Sequence, residues 1–120
     1  MISISHMGVI YLASLTDCYD GDTCKVTFPN FPPLVAEQSL RFDGFDTPEL
    51  RGGCARSKKL ARQAQAVSEN YMRGDVRLEF VDAPEKFGRL VVRAPELQAR
   101  LIKQGLARPS PDKKQQAWCD

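Results

Sequence analysis

A chain of 120 residues with a formal net charge of +2 has the length of one domain and can bury a core without staples. Its composition is that of an ordinary globular protein, no apolar run is long enough to cross a membrane, and so small a charge argues only weakly for a polyanionic partner. The one histidine, His6, stands near a terminus expected to be loose, which closes histidine-pair acid–base chemistry to this chain. The four cysteines, at 18, 24, 54 and 119, include no C-x-x-C pair, so zinc is not expected.

Met1 to Leu15 lacks the basic region and small-residue cleavage site of a signal peptide. The chain is therefore expected to be cytoplasmic, or periplasmic or secreted if a signal peptide has been removed. Ser5-His6-Met7 reads as a cloning scar, in which case the native chain begins near Gly8. Val9 to Leu15, β-branched and aliphatic, is the first expected strand. Asp20-Gly21 is a two-residue hairpin signal. Cys24, Val26 and Phe28 then alternate with Lys25 and Thr27 as a half-buried second strand. With a regular two-residue turn at Asp20-Gly21, Cys18 faces Thr23 and Cys24 faces Asp17. The two cysteines then point to opposite faces, and Cys24 reads as a buried free thiol. Pro29, Pro32 and Pro33 make a loop to Val35, and the third strand runs from about Glu37 to Phe45.

Leu50 to Cys54 is a Gly-rich loop, and a helix from about Ala55 to Arg73 carries the apolar stripe Leu60, Ala64, Val67, Tyr71, with Gly74 as its cap. Val76, Leu78 and Phe80 mark strand four, and Gly88 to Arg93 strand five. Pro95 opens a second helix that carries Leu97, Leu101 and Ile102 and ends at Gly105. Pro109 and Pro111 rule out further regular helix. The expected fold is α+β: one domain over 1–120, a five-stranded OB-type barrel with two to three helices at about 8–108 and a tail at 109–120.

Three stretches carry chemistry. In the first, Arg41 to Glu49, the alternating strand ends at Gly44, which suggests a bulge. Pro48 stiffens the backbone that aims Asp46 and Glu49. In the second, Asp20-Gly21-Asp22-Thr23, Asp22 is surplus to the turn and begins the next strand. Asp22 and Asp46 together make an oxygen site for a hard cation. The third is Lys86-Phe87-Gly88-Arg89. A cluster of Arg51, Arg56, Lys58, Lys59 and Arg62 reads on its own as a solvated helix face.

These stretches in this order, followed by Gln104-Gly105-Leu106-Ala107, resemble the staphylococcal nuclease (thermonuclease) family over nearly the whole chain, from Val9 to Arg108. The resemblance is greatest to the plasmid- and phage-borne bacterial branch. It implies calcium-dependent hydrolysis of DNA and RNA, single strands preferred, leaving 3′-phosphate ends, by a chain expected to act as a monomer. It implies that Asp22, Asp46 and the Thr47 carbonyl hold Ca²⁺. It also implies that Glu49 orients or deprotonates the attacking water, and that Arg41 and Arg89 grip the phosphate. Lys86 and Phe87 are substrate-binding candidates, Phe87 standing where the family often has a tyrosine. Trp118 is either an aromatic platform for a base or a packed anchor of the tail. In this fold Cys54 and Cys119 lie near the same rim and are expected to be bonded in an oxidising compartment; four reduced thiols are the alternative in a cytoplasmic protein. A binding module of OB type without catalysis is the competing function. It is disfavoured because the carboxylates and both arginines are all present.

Overall fold

A computed structural model describes residues 1–110, 118 and 119. The strands are β1 (Ile2–His6), β2 (Val9–Asp20), β3 (Thr23–Thr27), β4 (Glu37–Phe42), β5 (Phe45–Asp46), β6 (Val76–Phe80), β7 (Leu90–Arg93) and β8 (Arg108–Pro109). The helices are α1 (Ala55–Met72) and α2 (Pro95–Lys103), with a 3-10 turn at Pro33–Val35. Six strands close a mixed barrel in the order β1-β2-β3-β4-β7-β6, and β5 with β8 forms a separate two-stranded ribbon. The β1–β6 and β4–β7 contacts are parallel. Among the described residues no helix is long and apolar enough to cross a membrane. The expected feature at Pro111 lies outside the described residues.

The barrel strand that sequence reasoning omits is β1. Ile2 and Ile4 alternate with Ser3 and Ser5, and both isoleucines are fully buried. They fill the gap between β2 and β6, where Ile2 pairs with Ala13 on one side and Val76 on the other. Ser5 and His6 belong to the fold: His6 is the last residue of β1, and its Nε2 donates to Asp82 at 3.0 Å. Met7 and Gly8, at φ 51° and 82°, form the two-residue turn into β2, a backbone that matches the twist of a hairpin.

The β2–β3 hairpin also departs from expectation. The turn residues are Gly21 and Asp22, and the register shifts between Cys18 and Asp20. Tyr19 is the extra residue, so Cys18 stands opposite Cys24 and Asp20 opposite Thr23. The two cysteines share a face and are joined as a disulfide. The expectation of a free thiol at Cys24 fails because it assumes a regular turn one residue earlier.

Helix α1 covers the expected residues, but its buried line is Ser57, Ala61, Ala64, Ser68 and Met72. Leu60, Val67 and Tyr71 lie on its flank, half-buried. Small side chains face inward because the helix lies close against β2 and the turn at its end. Gln65 Nε2 donates to the Cys18 carbonyl at 2.8 Å, and the Ser68 hydroxyl donates to the Gly21 carbonyl. The core proper comes from Val26, Phe28, Leu40, Phe42, Val92, Leu97 and Leu101, all nearly inaccessible.

Candidate functional site

One cleft of about 570 Å³ opens at the rim of the barrel. It gathers Asp20, Asp22 and Thr23 from the β2–β3 hairpin, Arg41 from β4, Asp46, Thr47 and Glu49 from the segment after it, and Lys86, Phe87 and Arg89 from the β6–β7 loop. Trp118 closes one side. The candidates from three separate stretches of sequence, Asp22, Arg41, Asp46, Thr47, Glu49 and Arg89, are therefore brought together. Cys54 and Cys119 do not line the cleft. They are bonded to each other, and so tether Trp118 in its place.

The fold positions the carboxylates by backbone capping. Asp22 Oδ2 accepts the Thr47 amide at 3.1 Å, and Asp20 Oδ1 accepts the Leu50 amide at 3.2 Å. The turn thus clamps the segment containing Thr47, Pro48 and Glu49. Gly21 makes the close approach feasible: a Cβ there would lie 2.7 Å from Ala64 Cβ and 2.9 Å from Thr47 Cγ2. Gly44, at φ 92°, is not a bulge. With Asp43 it forms a turn that ends β4 and starts β5 in a new direction. β5 then pairs with β8, Asp46 opposite Arg108.

Asp20 is a cleft residue that the sequence reading assigns only to the turn. Burial pushes its carboxyl up to about 6, the Leu50 amide opposes that shift, and the charges of Asp22 and Glu49 add to it. Four carboxylates, those of Asp20, Asp22, Asp46 and Glu49, consequently face two arginines.

The two arginines sit differently. Arg41 lies between the aspartates: Nη2 is 2.5 Å from Asp46 Oδ1, and Nη1 is 3.4 Å from Asp22 Oδ2. Nη1 also donates to the Phe42 carbonyl at 2.9 Å and the Phe45 carbonyl at 3.1 Å, which stitches the end of β4. Arg89 is held from the other side. Its Nη2 meets Glu85 Oε2 at 2.8 Å and its Nη1 donates to Thr23 Oγ1 at 3.3 Å. Arg89 Nε is buried without a protein partner, as is the Thr47 hydroxyl. Glu85, unforeseen from sequence, is held down at about 2, chiefly by its hydrogen bond from the Arg89 side chain. The i, i+4 spacing of Glu85 and Arg89 is a signal, but outside a helix it has no general meaning.

Glu49 is exposed on the cleft wall and makes no hydrogen bond or ion pair among the described residues. Phe87 is 69% exposed, with Lys86 Nζ 4.9 Å and Arg89 Cζ 5.2 Å from its ring centroid. Trp118 is 6% exposed and has the Arg108 guanidinium 4.1 Å from its ring, so it is a packed anchor that offers only a strip of its surface to the cleft.

Among the described residues no group of three or more His, Cys, Asp or Glu side chains is arranged to hold a metal ion. The donor chemistry nonetheless suits a hard divalent cation. Asp22 and Asp46 both reach one guanidinium, so their oxygens converge, and every neighbouring donor is oxygen. For such an ion to bind between them, the Arg41 guanidinium must give way.

No family model and no curated protein matches this chain.

Proposed function

We propose that the chain is a calcium-dependent nuclease of the staphylococcal nuclease type, hydrolysing phosphodiester bonds in DNA and RNA and leaving 3′-phosphate ends. The observation that carries this reading is the meeting, in one cleft, of Asp22, Asp46, an unpaired Glu49 and two arginines from three distant stretches. On this reading the barrel is of the OB type. β2, β3 and β4 form its meander, β6 and β7 come after the helix, and β1 is an added strand between β2 and β6.

The residues divide the work. Asp22, Asp46 and the Thr47 carbonyl would hold Ca²⁺, which when bound supplies positive charge against the phosphate oxygens. Glu49, unpaired among the described residues, accepts a proton from the attacking water. The water oxygen bonds to phosphorus and the bond to the 5′ oxygen breaks, leaving the phosphate on the 3′ side. Arg89, anchored by Glu85, directs a guanidinium at the charge that grows on the equatorial oxygens. Arginine holds its proton too tightly to protonate the leaving oxygen, so that proton comes from water. A scissile phosphate deep among the carboxylates favours single strands, because a stiff duplex resists entry.

The test is incubation with single-stranded DNA with and without calcium, and then end-group analysis. Calcium-dependent cleavage giving 3′-phosphate ends is expected, with loss of activity in chelator. Binding without cleavage would transfer the protein to the class of OB-type binding modules.

A further inference from the structure

A second cavity, of about 560 Å³, lies on the barrel wall beyond the cleft, and four rings contribute to its lining: His6 from β1, Tyr11 from β2, Phe31 from the loop after β3, and Phe80 at the end of β6. Its volume lies within the range of about 300–1,000 Å³ usual for small-ligand sites. Arg89 lines both this cavity and the cleft. The two spaces are therefore neighbours that share Arg89, the residue just before β7.

Three features set this cavity apart from ordinary packing. First, the rings meet edge to face: Tyr11 with Phe31 at 6.0 Å and 82°, Tyr11 with Phe80 at 5.9 Å and 71°, and His6 with Phe80 at 6.3 Å and 81°. All four rings stay half-buried, so part of each remains open to the cavity. Second, the plane of Phe31 is fixed from behind. Its ring stacks on the fully buried Phe28 at 4.4 Å and 12°, so the wall is built in advance of any ligand. Third, the rim carries a polar acceptor. Both Asp82 oxygens lie within 3.1 Å of His6 Nε2, which orients the carboxylate.

We infer that this cavity is a nucleobase subsite, which takes an unpaired base of the same strand whose phosphate lies in the cleft. The inference rests on the nuclease reading for the identity of the strand, and on the ring wall for the site itself. Bases stack on aromatic side chains whatever their identity, and a backbone held at Arg89 passes directly beside the ring wall. A dinucleotide would fill the cleft alone, whereas a longer strand would engage both spaces.

The experiment compares Tyr11→Leu and Phe31→Leu, which keep apolar volume but remove a ring, with the unaltered chain. Cleavage of a deoxyadenosine dinucleotide and of the matching decanucleotide is measured with calcium present. Binding of the fluorescein-labelled decanucleotide is measured by anisotropy in a Glu49→Gln background. The expected result is a decanucleotide KM and Kd raised about tenfold, with dinucleotide kinetics unchanged. Equal losses on both substrates, or no loss on either, would overturn the subsite. If the parent chain cleaves neither substrate, the nuclease reading fails. The binding arm then decides: a tenfold weaker Kd sustains the subsite and an unchanged Kd removes it. Melting curves check that both variants fold, and Asp82→Ala, at an exposed position, probes the rim with little risk to the core.

Discussion

Replacing Gly21 by alanine tests how the cleft is assembled. The added methyl would sit 2.7 Å from Ala64 Cβ, 2.9 Å from Thr47 Cγ2 and 3.1 Å from Thr47 Oγ1. Carbon atoms in contact ordinarily rest at about 3.5–4.0 Å, so roughly 1 Å of separation must be found. Neither neighbour is a flexible tip. Ala64 Cβ is fixed to the backbone of α1, and Thr47 is β-branched and 2% exposed. The turn itself must therefore retreat. Overpacking of this kind costs about 1–3 kcal/mol. For a chain of this length that corresponds to a fall in Tm of about 4–12 °C. The same retreat pulls Asp22 from the Thr47 amide and Asp20 from the Leu50 amide, contacts of 3.1 and 3.2 Å with little slack. A displacement near 1 Å at reacting groups can cost about a hundredfold in rate. The assay is thermal melting beside turnover on single-stranded DNA, with Gly21→Ala/Ala64→Gly as the partner variant. Removing the nearest methyl should restore turnover more than Tm, because glycine inside a helix itself costs about 1 kcal/mol. A Gly21→Ala protein with unchanged melting and full turnover would refute the steric account of how the carboxylates are placed.

Further outcomes rest on the same geometry. Glu49→Gln should reduce kcat by about a hundredfold or more while leaving Tm unchanged, since the side chain is exposed and unpaired; near-normal turnover would remove Glu49 from the mechanism. The Cys54–Cys119 link spans 65 residues and the Cys18–Cys24 link spans 6. In the chain-entropy model the first stabilises by about 4 kcal/mol and the second by about 2, so Cys119→Ser should lower Tm about twice as far as a Cys18→Ser/Cys24→Ser pair. Calorimetry reads that ratio, and the reverse order would contradict it. Glu85 has a folded pKa near 2 against an ordinary 4.5. A depressed carboxyl contributes stability that is fully present above 4.5 and lost as pH falls through 2. A carbon-13 titration of Glu85 should thus have its midpoint near 2, and a midpoint at the ordinary value would show that Arg89 is not held as described.

Much of the site is readable in the sequence because rigid local chemistry announces itself. Pro48 and the alternation of Leu40 and Phe42 place the carboxylates of Asp46 and Glu49 at a strand end, and the structure keeps them there. The polar pattern and Gly74 bound helix α1 correctly, yet they point to the wrong inward face. Periodicity weighs large apolar residues, whereas close approach to the hairpin selects Ser57, Ala61 and Ser68. Beside the turn the hairpin register shifts at one extra residue, Tyr19, before a second shift at Thr16, and one such slip reverses the faces next to it. That slip hides the Cys18–Cys24 pair. β1 is legible as Ile-Ser-Ile-Ser, and only its continuation into Ser5-His6-Met7 makes it look foreign to the fold. β5 and β8, two residues each, carry no pattern at all, and the roles of Asp20 and Glu85 depend on partners that only the fold supplies.

The chain contains a single tryptophan, and the fold has placed it in the wall of the cleft. Its indole lies under a guanidinium and is almost sealed from water. The protein therefore carries its own optical probe. Any event that shifts Arg108, opens the Cys54–Cys119 tether or seats an aromatic base beside the ring changes emission from one known position. Titrations of metal or nucleic acid can be monitored by light alone, with no label and no second tryptophan to confuse the signal.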